Sequence, residues 1–163
     1  MIQKQNLKKI KLIVYDFDGV MTDNTAYLFE NGMEAVQINR SDGLGIAILK
    51  KFDLKQIIIS TEKNSVVLKR AEKLDIDCYH GIDDKVIALK NFCNENKIQL
   101  QEAIFIGNDI NDENAMKLVG LPICPADAHK KIKKISKFVL NSCGGEGVIR
   151  ELAELFLNSV KEG

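Results

Sequence analysis

The stretch VYDFDGVMTD, residues 14–23, decides the fold because it joins the end of an apolar run to three aspartates. The run KLIVYDF (11–17) is typical of a buried strand, and an unpaired carboxylate is costly to bury. Asp16 and Asp18 nevertheless stand one residue apart where this strand is expected to end. Two carboxylates in such a place indicate a bound cation, or a carboxylate that acts as a nucleophile.

The rest of the chain alternates strand-like and helix-like patterns. We predict short buried strands at 11–17, 55–61, 102–108, 121–125 and 137–140. We predict helices at 43–51, 64–74, 84–96, 112–119, 127–134 and 147–160. Such alternation is typical of a parallel sheet covered by helices on both faces, with functional residues at the carboxyl ends of the strands. The prediction is an α/β fold, Rossmann-like and three-layered, in one domain over residues 1–163.

One segment, TAYLFENGMEAVQI (25–38), interrupts this alternation. Asn31 and Gly32 stand between two strand-like runs, which predicts a β-hairpin with a two-residue type I′ turn. We therefore expect a hairpin insertion over about residues 24–40. It is either an ordinary edge hairpin or a subunit contact, and its apolar residues favour the contact. These residues are Tyr27, Leu28, Phe29 and Val36.

The charge balance excludes some partners. The chain has 23 Lys+Arg and 23 Asp+Glu, which argues against broad attraction to nucleic acid or to an anionic membrane. No apolar run approaches the roughly 20 residues of a membrane span, and the first ten residues lack the core of a signal peptide. The four cysteines form no C-x-x-C pair and are expected to be reduced thiols. We predict a cytoplasmic protein without a nucleic-acid or membrane partner.

Further polar residues follow other predicted strands. Ser60 and Thr61 end the second strand, Lys85 lies at the start of the third helix, and GNDIND (107–112) follows the third strand. Carboxylates can hold Mg²⁺, which neutralises a phosphate so that an anionic nucleophile can approach it. A hydroxyl and an ammonium group can bind the phosphoryl oxygens. The set predicts a magnesium-dependent phosphoryl transfer.

In this order, DFDGVMTD, the strand-end serine, the lysine and GNDIND resemble the four motifs of the haloacid dehalogenase superfamily over nearly the whole chain. The resemblance implies that Asp16 is a nucleophile that forms an aspartyl-phosphate. It implies that Asp18 protonates the leaving alkoxide and then activates water. It also implies that Ser60 and Lys85 hold the phosphoryl group.

The resemblance further implies a magnesium site made by the Asp16 carboxylate, the Asp18 backbone carbonyl and the GNDIND loop. This loop has Asn108 where the family usually has an acid. An amide oxygen can ligate Mg²⁺ but adds no negative charge, so Asp109 or Asp112 is an alternative ligand, directly or through water. A catalytically weak module that serves assembly is therefore a rival interpretation.

The chain has no room for a separate cap domain, because only about 25 residues separate Asp18 from the first predicted helix. It thus resembles the capless 3-deoxy-octulosonate 8-phosphate phosphatases, which implies a homotetramer formed through the hairpins. The stretches DGLGI (42–46) and GGEGVIRE (144–151) also match this subgroup, which implies substrate contacts from Asp42 and Arg150. The second stretch is either a tail that reaches a neighbouring active site or a flexible lead-in to a helix.

The stretch STEKN (60–64) departs from the TGR that the octulosonate enzymes typically show. Glu62 and Lys63 resemble relatives that act on nine-carbon sugar acids, and GNDIND resembles domains fused to acylneuraminate cytidylyltransferases. A glutamate can accept hydrogen bonds from sugar hydroxyls, and Lys63 or Lys73 can pair with the carboxylate of the substrate. The alternative is that these are ordinary surface charges. We predict a nine-carbon ulosonate 9-phosphate as the preferred substrate, in sialic-acid-type biosynthesis. Octulosonate 8-phosphate is the runner-up, Thr61 is a further substrate contact, and a cytidylyltransferase is a candidate partner.

Overall fold

Six strands form a parallel sheet in the computed structural model, which describes residues 7–161. In chain order they are β1 (Leu12–Tyr15), β4 (Lys55–Ile59), β5 (Asp77–Tyr79), β6 (Ala103–Ile106), β7 (Leu121–Cys124) and β8 (Phe138–Val139). Two further strands, β2 (Thr22–Leu28) and β3 (Glu34–Ile38), pair with each other as an antiparallel hairpin. The helices are α1 (Arg40–Lys50), α2 (Val66–Leu74), α3 (Lys85–Glu95), α4 (Glu113–Met116), α5 (Lys130–Ile135) and α6 (Val148–Lys161).

The strands of the sheet lie in the order β5-β4-β1-β6-β7-β8. All five predicted strands are present, but each ends one or two residues before the predicted end, where the chain leaves the sheet and enters a loop. The sequence analysis missed β5 because its three residues, Asp77–Tyr79, contain no apolar run. This strand pairs in parallel with β4, with Ile58 opposite Cys78.

Alternate residues of β1 face opposite sides of the sheet, as strand geometry requires. Ile13 and Tyr15 pack into one core cluster with α1, α2 and α6, whereas Leu12 and Val14 pack into a second cluster with α3, α4 and α5. Both clusters are built mainly from Ile, Leu, Val and Phe side chains that water does not reach. The predicted three-layer α/β fold is confirmed.

Helix α1 begins at Arg40, three residues before the predicted start at Gly43. The side chain of Asn39 accepts a hydrogen bond from the N–H of Ser41 (2.9 Å) and so caps the helix. The sequence analysis missed the first turn because its residues Arg40, Ser41 and Asp42 are all polar and give no apolar periodicity.

Helices α1 and α6 approach each other closely at Gly45. A Cβ atom at this position would lie 2.7 Å from the carbonyl oxygen of Ile149, so no larger residue fits. One turn earlier in α1, the buried Asp42 carboxylate accepts hydrogen bonds from the N–H groups of Ile149 and Arg150, both at 3.0 Å. This carboxylate satisfies two N–H groups in the first turn of α6 and fixes where the helix starts.

The hairpin turn differs from the predicted two-residue type I′ turn. The Phe29 N–H donates to the Met33 carbonyl and the Gly32 N–H donates to the Phe29 carbonyl, both at 2.9 Å. Gly32 has a φ of +82°, but Asn31 has no positive φ, which a type I′ turn would require. Asn31 instead uses its side chain to accept the Met33 N–H (3.0 Å). The loop therefore has three residues, a common hairpin connection in which a left-handed glycine follows the turn.

Most of the hairpin's apolar side chains are exposed, as predicted. Tyr27 and Leu28 are 70% and 73% exposed, and Phe29 and Met33 are also exposed. Val36 departs from the prediction, because it is half-buried against the core. Among the residues that the structure covers, no helix is long and apolar enough to cross a membrane.

Candidate active site

The polar residues predicted to act together emerge at one edge of the sheet. Asp16 directly follows β1, Ser60 follows β4 and Asn108 lies in the loop after β6. The N–H of Asp16 donates to the Ile106 carbonyl (2.9 Å), which extends the strand pairing by one residue before the chain turns away. Since β1 lies between β4 and β6 and all three are parallel, their carboxyl ends coincide.

Lys85 is the centre of this edge. Asp84 caps α3 by accepting the N–H groups of Val86 (2.7 Å) and Ile87 (3.2 Å), so Lys85 becomes the first residue of the helix. The Lys85 side chain is almost completely buried, and its Nζ lies 2.7 Å from Oδ1 of Asp16 and 2.6 Å from Oδ1 of Asp112. We call these three residues the strand-end cluster.

Asp112 ties the strand-end cluster to the loop after β6. Its Oδ2 accepts hydrogen bonds from the N–H groups of Asn108 (2.9 Å) and Asp109 (3.3 Å). Gly107 passes so close that a Cβ atom there would lie 2.6 Å from the Asp112 side chain. Both carboxylate oxygens of Asp112 thus have partners in the protein, which favours Asn108 over Asp112 as the direct metal ligand of this loop.

Burial and charge shift the acidity of the strand-end cluster. Burial, together with the nearby Asp112, raises the pKa of Asp16 to about 7, although Lys85 acts in the opposite direction. Burial alone would lower the pKa of Lys85, but the two carboxylates outweigh it and raise this pKa. The short Asp16–Lys85 contact favours the ionised pair. One ammonium then faces two carboxylates, which leaves an excess negative charge that a cation can balance.

Asp18 is placed to exchange a proton. Burial raises the pKa of its carboxyl group; the hydrogen bond from Thr22 lowers this pKa, and the charges of Glu62 and Glu34 raise it further. A net rise is what a carboxyl group needs if it is to donate a proton to a leaving group near neutral pH. The geometry is consistent with the predicted role of Asp18 as a general acid and base.

Thr22 positions Asp18, and the sequence analysis missed it. Its hydroxyl donates to Oδ1 of Asp18 (3.3 Å) and accepts the N–H groups of Gly19 (3.3 Å) and Asn24 (3.1 Å). The side chain is fully buried, so these contacts are shielded from water. The available signal was its place in the stretch 14–23, four residues after Asp18.

An orphaned oxygen supports the predicted magnesium site. Oδ1 of Asn108 is buried and has no hydrogen-bond partner within residues 7–161. The Asn108 amide is held against Gly19, where a Cβ atom would lie 1.9 Å from its Nδ2. A buried oxygen without a partner, in a loop at the same edge of the sheet as Asp16 and Asp18, fits a hard cation. The residues that would hold Mg²⁺ are Asp16 through its carboxylate, Asp18 through its backbone carbonyl and Asn108 through its amide oxygen.

These proposed ligands include only one acidic side chain, that of Asp16. In the part of the chain that the structure describes, no group of three or more His, Cys, Asp or Glu residues could hold a metal ion. Asp112 is occupied by Lys85, and the exposed Asp109 uses its carboxylate to accept the N–H of its neighbour Ile110 (2.7 Å). Of the three alternatives in the GNDIND loop, Asn108 therefore fits best.

The loop 60–64 leaves β4 at the same edge of the sheet as the strand-end cluster. The Ser60 hydroxyl accepts the N–H of Glu62 (3.1 Å), which turns the loop back at the end of β4. Thr61 is exposed and lines a cleft of about 720 Å³ together with Lys85. Lys63 is exposed and packs beside Gly81. The structure therefore places Ser60 at the end of the strand next to β1, Thr61 in a cleft with Lys85 and Glu62 within electrostatic reach of Asp18, and leaves Lys63 on the surface.

Three predicted substrate-binding residues lie elsewhere in the chain. Lys73 lines a separate cleft of about 710 Å³, which also contains Arg70. The Arg150 Nε donates to Oε1 of Glu154 on the same helix (3.0 Å). Asp42 is engaged with the start of α6, and burial raises its pKa to about 6. Within one chain, none of the three is directed to the strand-end cluster.

The glycine-rich stretch packs against its own chain, and is neither a projecting tail nor a loose lead-in. The Gly145 N–H donates to the Val20 carbonyl (3.1 Å), and the Gly144 N–H donates to Oδ1 of Asp127 (3.0 Å). A Cβ atom on Gly144 would lie 2.4 Å from the Gly19 carbonyl oxygen. These glycines therefore pack against the loop that carries Asp18.

Comparison with known proteins identifies the same family that the four motifs resemble. A family model described as haloacid dehalogenase-like hydrolase matches residues 2–152. The 3-deoxy-D-manno-octulosonate 8-phosphate phosphatase of Escherichia coli is 32% identical over 92% of this chain and 80% of that protein. A zebrafish (Danio rerio) N-acylneuraminate cytidylyltransferase A is 30% identical over 94% of this chain, but over only 36% of its own length.

A solved structure extends the likeness to three dimensions. The 3-deoxy-D-manno-octulosonate 8-phosphate phosphatase from Moraxella catarrhalis, determined with magnesium ion, phosphate ion and KDO, superimposes with a TM-score of 0.92. The two are 30% identical, and the match covers 98% of this chain and 92% of that one. The chain belongs to the family of haloacid dehalogenase-like hydrolases. The predicted family, fold and hydrolase class are confirmed.

Proposed function

We propose that this haloacid dehalogenase-like hydrolase is a magnesium-dependent phosphatase acting on the phosphate monoester of a 3-deoxy-2-ulosonate. The observation that carries the proposal is the strand-end cluster, in which Lys85 joins Asp16 to Asp112 beside Asp18. The octulosonate phosphatases of Escherichia coli and Moraxella catarrhalis support the substrate class.

Each residue of the site has a task in this reaction. When bound, Mg²⁺ supplies positive charge that lowers the repulsion between the phosphate and Asp16. Lys85 and Phe17 engage Oδ1 of Asp16, which leaves Oδ2 to attack phosphorus while the bond from phosphorus to the sugar oxygen breaks. Asp18 gives its proton to the departing oxygen. Asp18 then takes a proton from water, which attacks the aspartyl-phosphate, releases phosphate and regenerates Asp16. Ser60 and Lys85 bind the phosphoryl oxygens throughout.

The named relatives favour octulosonate 8-phosphate as the substrate, ahead of the nine-carbon 9-phosphate that the sequence analysis preferred. Two observations keep the nine-carbon acid as the second candidate. Glu62 lies near Asp18, and Lys73 shares its basic cleft with Arg40 and Arg70. Lys73 is seven residues after the start of α2, or about 10 Å along the axis, which places it away from the loop 60–64 of its own chain. We propose that it serves the site of a neighbouring subunit.

Phosphate release with saturating Mg²⁺ tests the proposal. The panel is octulosonate 8-phosphate, ketodeoxynononate 9-phosphate, N-acetylneuraminate 9-phosphate and two hexose phosphates. We expect an ulosonate phosphate to be preferred and turnover to be lost in Asp16→Asn. The ratio of kcat/KM between the eight- and nine-carbon acids decides between the two candidates. No release by folded wild-type protein would contradict the proposal and favour the assembly module.

A further inference from the structure

The hairpin is joined to the mouth of the active site by a hydrogen bond. Nδ2 of Asn64 donates to Oε2 of Glu34 at 3.3 Å. Glu34 is the first residue of β3, and Asn64 ends the loop that carries Ser60 and Glu62. The bond links segments 30 residues apart and brings a hairpin carboxylate to the catalytic edge of the sheet.

Asn64 is itself firmly held. Its Oδ1 accepts the N–H of Val66 at the start of α2 (3.1 Å), and its own N–H donates to Oε1 of Glu62 (2.7 Å). A side-chain amide whose oxygen is already fixed presents its Nδ2 in a defined direction. One residue therefore orients two carboxylates, that of Glu34 through its side chain and that of Glu62 through its backbone.

Both carboxylates are held beside the loop that carries Ser60. The Asn64 N–H donates to Oε1 of Glu62 (2.7 Å) and its Nδ2 donates to Oε2 of Glu34 (3.3 Å), while the Ser60 hydroxyl at the end of β4 accepts the N–H of Glu62 (3.1 Å). Glu34 is exposed and its carboxylate can still accept further hydrogen bonds. Such a pair attracts hydroxyl groups and repels anions that approach beside the phosphate.

We propose that Glu34 is a specificity-determining residue of this active site and that Asn64 positions it. Glu34 and Glu62 accept hydrogen bonds from the hydroxyl groups of the sugar carbons next to the phosphate, and they exclude a second anionic group from that place. This inference rests on the proposed function and deepens it. The accepted class is a polyhydroxylated chain whose carboxylate lies at the end remote from the phosphate, a description that both candidate sugar acids meet.

The test compares Glu34→Gln with Glu30→Gln, a matched control that removes the same charge from an exposed residue of the hairpin loop. Two substrates are measured with each protein: octulosonate 8-phosphate, or the nine-carbon acid if the panel prefers it, and phosphoglycolate, whose carboxylate is adjacent to the phosphate-bearing carbon. The readout is the ratio of the two kcat/KM values. We expect Glu34→Gln to lower this ratio by about 10-fold, chiefly through a higher KM for the sugar acid, and Glu30→Gln to leave it unchanged.

A second pair of variants tests the positioning role of Asn64. Asn64→Asp keeps the acceptor for Val66 but sets a carboxylate against Glu34, and we expect the ratio to fall. Combining Asn64→Asp with Glu34→Gln reverses donor and acceptor and restores the hydrogen bond but leaves no carboxylate at position 34, so we expect a ratio no lower than that of Glu34→Gln alone. A double variant with a clearly lower ratio than Glu34→Gln would show that Asn64 acts by another route than positioning Glu34. Equal ratios for Glu34→Gln and Glu30→Gln, in a protein that hydrolyses ulosonate phosphates, would overturn this inference alone. A wild-type protein inactive on every ulosonate phosphate would overturn the proposed function and this inference with it.

Discussion

The strand-end cluster and the hairpin differ in whether a single chain supplies the contacts of their side chains. Lys85 and Asp112 are 3% and 0% exposed, and their charged atoms find partners within the chain. Leu28 in the hairpin is 73% exposed, and in the described chain β2 and β3 pair only with each other. The chain therefore builds its catalytic charges by itself but does not cover the apolar surface beside them. The catalytic charges and the covering of the site therefore depend on different parts of the molecule. The following predictions test whether substitutions can change one without the other.

Asp16→Asn should have the largest effect, a loss of turnover of at least about 10³-fold, because an amide oxygen is too poor a nucleophile to attack phosphorus. The nearly isosteric side chain keeps its place beside Lys85. Turnover of the preferred ulosonate phosphate is the measurement, with a circular dichroism spectrum to show that the variant is folded. Residual turnover above a tenth of wild type would exclude Asp16 as the nucleophile.

Lys85→Met should destabilise the fold by about 3–5 kcal/mol, because it leaves Asp16 and Asp112 buried without a cation. Urea unfolding at pH 8, above the pKa of about 7 that Asp16 has in the wild-type protein, measures the change in the free energy of unfolding. The control is Lys69→Met, which breaks an exposed ion pair with Glu72 and should have a much smaller effect. Equal unfolding midpoints for the two variants would show that the cluster contributes little to stability.

Thr22→Val should lower kcat by about 10-fold and change KM little, because Thr22 orients Asp18 and does not touch the substrate. Thr22→Ser keeps the hydroxyl and should retain most of the wild-type kcat. Steady-state kinetics of the three proteins with one ulosonate phosphate measure both constants. If the serine variant lost as much activity as the valine variant, packing of the methyl group and not the hydrogen bond would be responsible.

Substitutions in the hairpin should have the smallest effect on the fold of the single chain. The double variant Tyr27→Ser and Leu28→Ser alters only exposed side chains, so we expect an unchanged circular dichroism spectrum. We propose that the same surface assembles a homotetramer, and light scattering should then show a lower mass for the variant. Ile87→Ser, which changes an exposed apolar residue of α3, is the control that should keep the wild-type mass. A monomeric wild-type protein at micromolar concentration would contradict the tetramer.

Local patterns in the sequence were sufficient to predict the fold and to place Asp16 and Asp18 at a strand end. The apolar run before Asp16 and the spacing of Asp18 identify the strand end, because strand burial and carboxylate clustering are local properties. The turn at Asn31 was wrong because the side chain of this asparagine bonds locally, a choice that residue identity alone does not reveal.

Contacts between distant segments could not be predicted in the same way. The bond between Lys85 and Asp112 spans 27 residues and depends on how α3 packs against the loop after β6. The same holds for Asn64 and Glu34, which only the three-dimensional path of the hairpin brings together. Lys73 and Arg150 were assigned by resemblance alone, and one chain does not show what they would bind.

The order of the sheet also determines when the molecule can become active during its synthesis. β1 is made first but lies in the middle, and its second neighbour β6 follows roughly ninety residues later. At about 5–20 residues per second, the ribosome takes roughly 5–20 s to deliver that partner. During this interval β1 lacks one neighbour, and Asp16 lacks the segment that contains Asp112. The newborn chain therefore gains the groups of the strand-end cluster late, after a period in which one edge of the apolar strand β1 is unpaired.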